Sequence, residues 1–243
     1  MTTISGFLLV KKPIDITSFD CIRKLKKILP KKTVIGHAGT LDPFASGLLI
    51  VAISRQATKK ISSLMDETKE YSVTAKLGEL TGTLDKTGAI IETKDCSFIT
   101  KAMLEQAAKE LQPSYMQIPP GYSALKYNGK PLYWWIREKK MSPEEIETII
   151  KGKQREVSIF SCDILSYDYP FFTFKTKVSK GTYIRSLAQD IAMRVDGIAT
   201  CYELERTRIG NFCVTNAIEL EKLCTTQDII DNLIMGPLNN FES

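Results

Sequence analysis

The sequence predicts an α+β protein organised on a mixed, mainly antiparallel central sheet with helices flanking it. Two observations carry this expectation. Strand-like segments dominate, and several are neighbours in the chain, as at 157–167 and 171–178, which favours antiparallel pairing. In another, Tyr71, Val73, Ala75 and Leu77 alternate with Ser72, Thr74 and Lys76, the two-residue period of a strand with one buried face. At 243 residues and 43% hydrophobic content, the chain can bury a sizeable core. No repeat, low-complexity stretch or clear linker divides it, so a single domain is expected over residues 1–243.

The elements follow in order. Gly6–Val10 reads as a first strand, ending at Lys11-Lys12-Pro13. Thr17 or Ser18 caps a helix to about Leu29, with Phe19, Ile22, Leu25 and Leu29 expected on its inner face. Residues 36–47 hold three glycines and a proline, which predicts a shaped loop feeding the buried strand Leu48–Ile53. A short helix near Ala57–Met65, the alternating strand, a turn-rich loop at Thr81–Gly88 and a strand at Ala89–Glu92 come next. A helix over Thr100–Leu111 turns Met103, Leu104, Ala107, Ala108 and Leu111 inward. Gln117–Tyr122 is an extended connector, and a helix at Leu132–Lys139 presents Tyr133, Trp134, Trp135 and Ile136. In 140–153, Ser142, Pro143 and Glu145 spell a capping box, so an inserted surface helix is expected. Strands at Val157–Tyr167 and Phe171–Val178 lead through Ser179-Lys180-Gly181-Thr182 into a helix with Ile184, Leu187, Ala188, Ile191 and Val195 on one face. A last strand near Gly210–Val214 and a short helix from about Leu220 close the chain, with a tail at 224–243.

Composition narrows the function classes. The 33 Lys and Arg against 28 Asp and Glu give +5, a mild excess that favours a polyanionic partner. Arg23, Lys24, Lys26, Lys27, Lys31 and Lys32 cluster just before the 36–47 loop; a solvated helix face and a phosphate-binding surface both remain open for them. Six cysteines without a C-x-x-C pair, and one histidine, make no zinc set; they read as buried thiols of a reducing compartment. Neither a secretory leader nor an apolar run of about 18 residues is present, so a cytoplasmic protein without membrane contact is expected.

Several catalytic sets are missing from the sequence: the G-x-x-x-x-G-K-[ST] phosphate loop, the G-x-G-x-x-G fingerprint and the G-x-S-x-G elbow. What remains is Asp42 in the 36–47 loop, an aromatic-rich strand, and Lys-Gly-Thr-Tyr-Ile-Arg at a helix start. An isolated Leu-Asp-Pro reads as a turn with a capping carboxylate. A site working through one carboxylate needs a cation to keep it ionised once desolvated, and the fork of Arg185 suits that task. On the residues alone, a surface ion pair for Arg185 and a core position for Tyr71 stay open.

Taken together, the motifs resemble the TruB family of tRNA pseudouridine synthases. The resemblance rests on Gly6-Phe7-Leu8-Leu9-Val10-Lys11-Lys12-Pro13 with Thr17-Ser18, and on Gly36-His37-Ala38-Gly39-Thr40-Leu41-Asp42-Pro43. It continues at Lys69-Glu70-Tyr71, Thr83 with Asp85 and Gly88, Gln117-Ile118-Pro119, and Tyr122-Ser123-Ala124-Leu125-Lys126. Ser179-Lys180-Gly181-Thr182-Tyr183-Ile184-Arg185 and Leu204-Glu205-Arg206-Thr207 complete it, in order between residues 6 and about 223.

The resemblance implies a pseudouridine synthase fold in one catalytic domain. It implies isomerisation of uridine to pseudouridine in tRNA, at position 55 of the T-loop, with the target base flipped out. Asp42 would be the nucleophile, Arg185 the cation that keeps it ionised and aimed, and Tyr71 the ring stacked on uracil and engaged in late proton removal from C5. His37 would enter the RNA loop, while Tyr183 and Leu204 fall at substrate-pocket positions. Lys126, Lys180 and the 23–32 cluster are candidates for phosphate contacts, which position RNA without reading it. No cofactor, metal or obligatory protein partner is implied, and a monomer is expected. Three departures stand out: Gly82 occupies a position where the family usually carries an acid, while Asp85 remains without an assigned role; 139–154 is longer than expected between its neighbouring elements; and the chain ends about twenty residues after Leu223, so no PUA-type C-terminal RNA-binding domain is expected. Fewer phosphate contacts would then give a shallower salt dependence. A non-catalytic tRNA-binding factor, a guide-RNA-dependent synthase and a phosphotransferase are weaker readings. The intact Asp42, Tyr71 and Arg185 set, the short chain, and the lack of a second acid in the loop count against them in turn.

Overall fold

A computed structural model describes residues 4–234. In chain order the elements are β1 (Gly6–Lys12), α1 (Ser18–Ile28), β2 (Ile35–Ala38), β3 (Ser46–Ile53), α2 (Arg55–Thr58), α3 (Ile61–Asp66) and β4 (Lys69–Leu77). The hairpin β5 (Glu79–Thr81) and β6 (Ile90–Thr93) follows, then α4 (Lys101–Glu110), β7 (Ser114–Gln117), the ribbon β8 (Lys126–Tyr127) and β9 (Lys130–Pro131), α5 (Leu132–Arg137) and α6 (Pro143–Lys151). The chain continues through β10 (Arg155–Asp168), β11 (Phe171–Val178), α7 (Ile184–Met193), β12 (Ala199–Ile209), β13 (Phe212–Cys213), β14 (Ile218–Glu219), α8 (Thr226–Asp231) and β15 (Leu233–Ile234). Of the expected tail at 224–243, residues 235–243 lie outside the described residues.

The chain falls into two compact units, residues 1–72 with 204–243, and residues 73–203. In the first, β1 pairs antiparallel with β3 along its length, Gly6 opposite Ile53 and Lys12 opposite Gly47. The other edge of β1 takes β14 in parallel and β15 in antiparallel fashion. The far edge of β3 takes β2, with His37 opposite Val51, and then the end of β12 in parallel, with Arg206 opposite Gly47. Both faces of β3 are covered, which explains its unbroken apolar run. Leu49, Val51 and Ile53 join Leu8 and Val10 against Cys21, Ile22, Leu25 and Leu29. Leu48, Ile50 and Ala52 join Phe7 and Leu9 against Ala57, Leu64, Ile209 and Phe212.

Helix α1 starts as expected, with Thr17 as N-cap and Asp20 closing a capping box. Its inner face differs from the sequence expectation. Phe19 is 57% exposed under the Arg23 guanidinium, because a helix begun at Ser18 turns Ser18, Cys21, Ile22 and Leu25 inward and leaves position 19 outside. The loop is also shorter than expected. Gly36, His37 and Ala38 are held as a strand by their ladder with β3, so the irregular stretch narrows to residues 39–45.

In the second unit the strand order runs from the first half of β12 through β4, β11 and β10 to β7. Strands β10 and β11 form a long antiparallel hairpin, and β7 pairs antiparallel with β10. Strand β4 alternates buried and half-buried residues along its length, as its period predicts. Helix α4 packs on β10 and α7, burying Leu104, Ala107 and Ala108. The capping box of α6 forms as spelled, between Ser142 and Glu145, and Ile146 is its buried residue.

Leu49 is fully buried between layers. Leu49→Ala is expected to lower stability by about 3 kcal/mol, measured by urea unfolding followed by circular dichroism.

Candidate active site

In the first unit the backbone around Asp42 is held from three directions. Arg206 donates from Nη2 to the Gly39 carbonyl at 3.1 Å, from Nη1 to Thr40 at 3.4 Å and from Nε to Leu48 at 2.8 Å. Ser18 Oγ accepts the Leu41 N–H at 2.9 Å and donates to the Leu41 carbonyl at 3.2 Å. Lys12 Nζ reaches the carbonyls of Pro13 and Ile16 at 2.7 Å each and of Pro43 at 3.2 Å. Asp42 is therefore presented from a stretch in which residues 39, 40, 41 and 43 are all tied to buried side chains. The glycines at either end have local causes. Gly39 lies at φ +85°, and Gly47 at φ +109° is pressed against the Arg206 backbone, where a Cβ would overlap it.

Lys12 and Arg206 are 0% and 1% exposed. Burial holds Lys12 down to about 8 despite the nearby Asp42 carboxylate, and burial lowers Arg206 as well. Beyond its three carbonyls, the Arg206 guanidinium faces the Tyr71 hydroxyl. Tyr71 is buried on β4. His37 is half-buried on β2; burial and the Arg206 cation push its pKa below the ordinary value, so the imidazole is neutral at pH 7. Leu204 is buried on β12. Of the residues singled out from the sequence, this unit thus holds Asp42, His37, Tyr71 and Leu204, with Lys12 and Arg206 added. Lys12 and Arg206 both lie inside motifs that carry the family resemblance, but a charged residue in a motif says nothing of burial.

The second unit holds Arg185, Tyr183, Lys126 and Lys180. Arg185 is the second residue of α7 and 4% exposed. Its guanidinium donates to the Tyr122 carbonyl at 2.9 Å and to the Thr83 carbonyl, and lies 3.7 Å from Asp85 Oδ2. A surface ion pair is therefore ruled out for Arg185. Asp85, left without a role by the sequence, is itself buried and fixed by Thr83 Oγ1 and the Thr87 N–H, each at 2.9 Å. Tyr183 sits immediately before α7 with its ring under the Arg155 guanidinium, 5.3 Å away. Lys126 and Lys180 are exposed, on the β8–β9 ribbon and in the turn before α7. Within the basic cluster, Lys24 is tied to the Leu220 carbonyl and Arg23 to Asp20, whereas Lys26, Lys27, Lys31 and Lys32 are exposed. Among the described residues no group of three His, Cys, Asp or Glu is placed to hold a metal, and no helix is long and apolar enough to cross a membrane.

Also in this unit, Asp190 of α7 accepts a 2.6 Å bond from Tyr115 Oη, and burial raises its pKa from 3.8 to about 6. A carboxyl that binds its proton more tightly when folded adds stability in full below the unfolded pKa and loses it as pH rises through the folded one. Wild-type protein is therefore expected to lose up to about 3 kcal/mol relative to Asp190→Asn between about pH 4 and pH 7, measured by urea unfolding at each pH. Arg206→Met leaves three buried carbonyls without donors and is expected to cost about 3 kcal/mol or more in the same measurement.

Comparison with known proteins gives a consistent picture. Residues 26–184 match the model of the TruB family pseudouridylate synthase (N terminal domain). The chain is 42% identical over 231 residues to tRNA pseudouridine synthase B of Clostridium novyi, covering 95% of this chain and 76% of that one. It is 41% identical over 219 residues to the protein of the same name from Desulfotalea psychrophila, covering 88% and 85%. Among solved structures, a chain of a Cbf5-Nop10-Gar1 complex superposes with a TM-score of 0.65 at 27% identity, over 93% of this chain and 54% of that one. The present chain thus spans about half the length of that structural neighbour.

Proposed function

Since the chain belongs to the TruB family of pseudouridylate synthases, we propose that it isomerises a uridine of tRNA to pseudouridine, at position 55 of the T-loop, with Asp42 as nucleophile. The observation that carries this reading is the restraint on Asp42, whose neighbouring backbone is fixed by Arg206, Ser18 and Lys12. A nucleophile presented from a fixed backbone before substrate arrives loses less entropy in reaching its reactive geometry. The Asp42 carboxylate attacks C1′ of the flipped nucleoside as the N1–C1′ glycosidic bond breaks, the uracil turns, and C5 bonds to C1′ as the C1′–O bond to Asp42 breaks and the carboxylate is released. The C5 proton then leaves and N1 gains one, so the product is an isomer of the substrate and the balance calls for no oxidant, reductant or second substrate.

Arg185 is assigned as the cation that keeps the carboxylate ionised during attack, and Tyr71 as the ring that stacks on uracil and takes part in removing the C5 proton. A neutral His37, which carries no charge to be drawn to phosphate, suits insertion among stacked bases of a folded RNA loop. Leu204 and Tyr183 line the pocket in this reading. Lys126, Lys180 and the exposed lysines between 26 and 32 make phosphate contacts. Relatives named tRNA pseudouridine synthase B reach 42% identity over 95% of this chain, which supports a tRNA substrate.

The test is incubation of purified protein with unmodified T-loop stem-loop RNA and no other addition, followed by mapping of pseudouridine. One product at the T-loop uridine is expected. Asp42→Asn is expected to keep RNA affinity within about threefold while conversion drops by at least about 10⁴-fold. Equal conversion by Asp42→Asn and wild type would leave the RNA-binding reading in place of the enzymatic one.

A further inference from the structure

Helix α7 begins without a cap of its own. Its N-cap is Tyr183, whose side chain makes no capping bond, yet the helix must deliver Arg185 at its second position. The missing support comes from Gln117, the last residue of β7, which is 1% exposed. Gln117 Oε1 accepts the Tyr183 N–H at 2.8 Å, and Nε2 donates to the Tyr183 carbonyl at 3.1 Å. The side-chain amide therefore meets Tyr183 as a second peptide group would, donating and accepting side by side.

What fixes the amide this way round is a proton chain. Tyr115 gives its single hydroxyl proton to Asp190 at 2.6 Å, so its oxygen is left to accept, and it accepts from Gln117 Nε2 at 2.7 Å. Asp190 lies on α7 itself, two turns beyond Tyr183. The run Asp190, Tyr115, Gln117, Tyr183 thus leaves the helix and returns to its start. Ser186 Oγ adds a tie to the Ile118 carbonyl at 3.0 Å, and Arg155 covers the Tyr183 ring while bonding the Gly181 carbonyl.

We propose that Gln117 is a positioning residue of this site: by gripping Tyr183 in both directions it sets the line along which α7 departs, and so where Tyr183 and Arg185 are presented. The proposal rests on the catalytic assignment of Arg185 made above. It requires an amide. An ionised glutamate at 117 would offer acceptors to a carbonyl and to a phenol oxygen that has no proton to give. A protonated glutamate has one O–H beside one C=O and matches Tyr183 again, leaving only the Tyr115 oxygen unmatched.

Gln117→Glu is therefore a pH-dependent version of the wild type. The groups facing position 117 are Tyr115 of its own strand, Tyr183 at the N-cap of α7 and Asp190 within it, with Arg194 acting on Asp190 and Arg155 over the Tyr183 ring. Asp190 titrates in both proteins, so each rate is compared with wild type at the same pH. Single-turnover conversion of the stem-loop RNA at saturating enzyme is measured from about pH 8 to about pH 5.5, with RNA affinity and far-UV circular dichroism alongside. Gln117→Glu is expected to be about 100-fold slower than wild type at the alkaline end with affinity within about threefold, the gap closing about tenfold or more at the acid end. Gln117→Leu is expected to stay slow throughout. A folded Gln117→Glu with wild-type rate at pH 8, or a gap that is the same at every pH, overturns the proposal. If Gln117→Glu is unfolded at pH 8, Tyr115→Phe decides: about tenfold slower with unchanged affinity supports it, and a wild-type rate overturns it. Arg185→Lys separates the two readings. Should it keep the wild-type rate while Gln117→Glu is slow, the Arg185 assignment fails, and the proposal fails through its premise rather than through Gln117.

Discussion

Two fully buried cations beneath one loop are the constraint on which the first unit depends. Lys12 and Arg206 meet backbone carbonyls rather than carboxylates, six between them, and three of these, Gly39, Thr40 and Pro43, lie in the Asp42 turn. Taking a charge out of water costs several kcal/mol, and well-packed apolar side chains would serve a purely structural core at least as well. Such violations of a local rule tend to mark sites where geometry matters more than stability. Here the geometry is that of a turn closed by a single backbone bond of its own, Ala45 N–H to the Asp42 carbonyl, so further fixed donors come from elsewhere in the chain. Residues 12, 18 and 206 supply them.

The second unit solves the same problem with the same chemistry. Arg185 is buried among the Thr83 and Tyr122 carbonyls with Asp85 at ion-pair distance, and Asp85 is fixed by its own turn. A guanidinium suits both places because its donors spread in a plane and can satisfy several carbonyls at once, which an ammonium does with less directional control. Gln117 extends the pattern from charge to a neutral amide, which presents donor and acceptor together.

Much of the fold was legible where burial is one-sided or where a cap is spelled out. Strand β4 shows the alternation its residues announce, and the Ser142–Glu145 box forms as written. The two-faced strand β3 was legible as a continuous apolar run. Strand β12 was not, because Leu204-Glu205-Arg206-Thr207 mixes charge with apolar residues and shows no clean period until Arg206 is known to point into the core. Phe19 misled for the opposite reason, as a large apolar side chain whose helical phase places it outside. For the site, motif resemblance singled out Asp42, Tyr71 and Arg185 as residues. It gave no indication of the groups holding them, since support of this kind is a matter of which backbone atoms a distant side chain reaches. Asp85 and Gln117 were both in view without a task.

The tethering of the Asp42 turn has a consequence for how this protein responds to heat. Its ordering is completed when the core of the first unit closes, by side chains that belong to that core as much as to the site. Loop softening ahead of global melting, common where reactive residues ride on mobile lids, has no structural basis here. Disordering of the Asp42 turn on warming and loss of the first unit's folded core are then a single event.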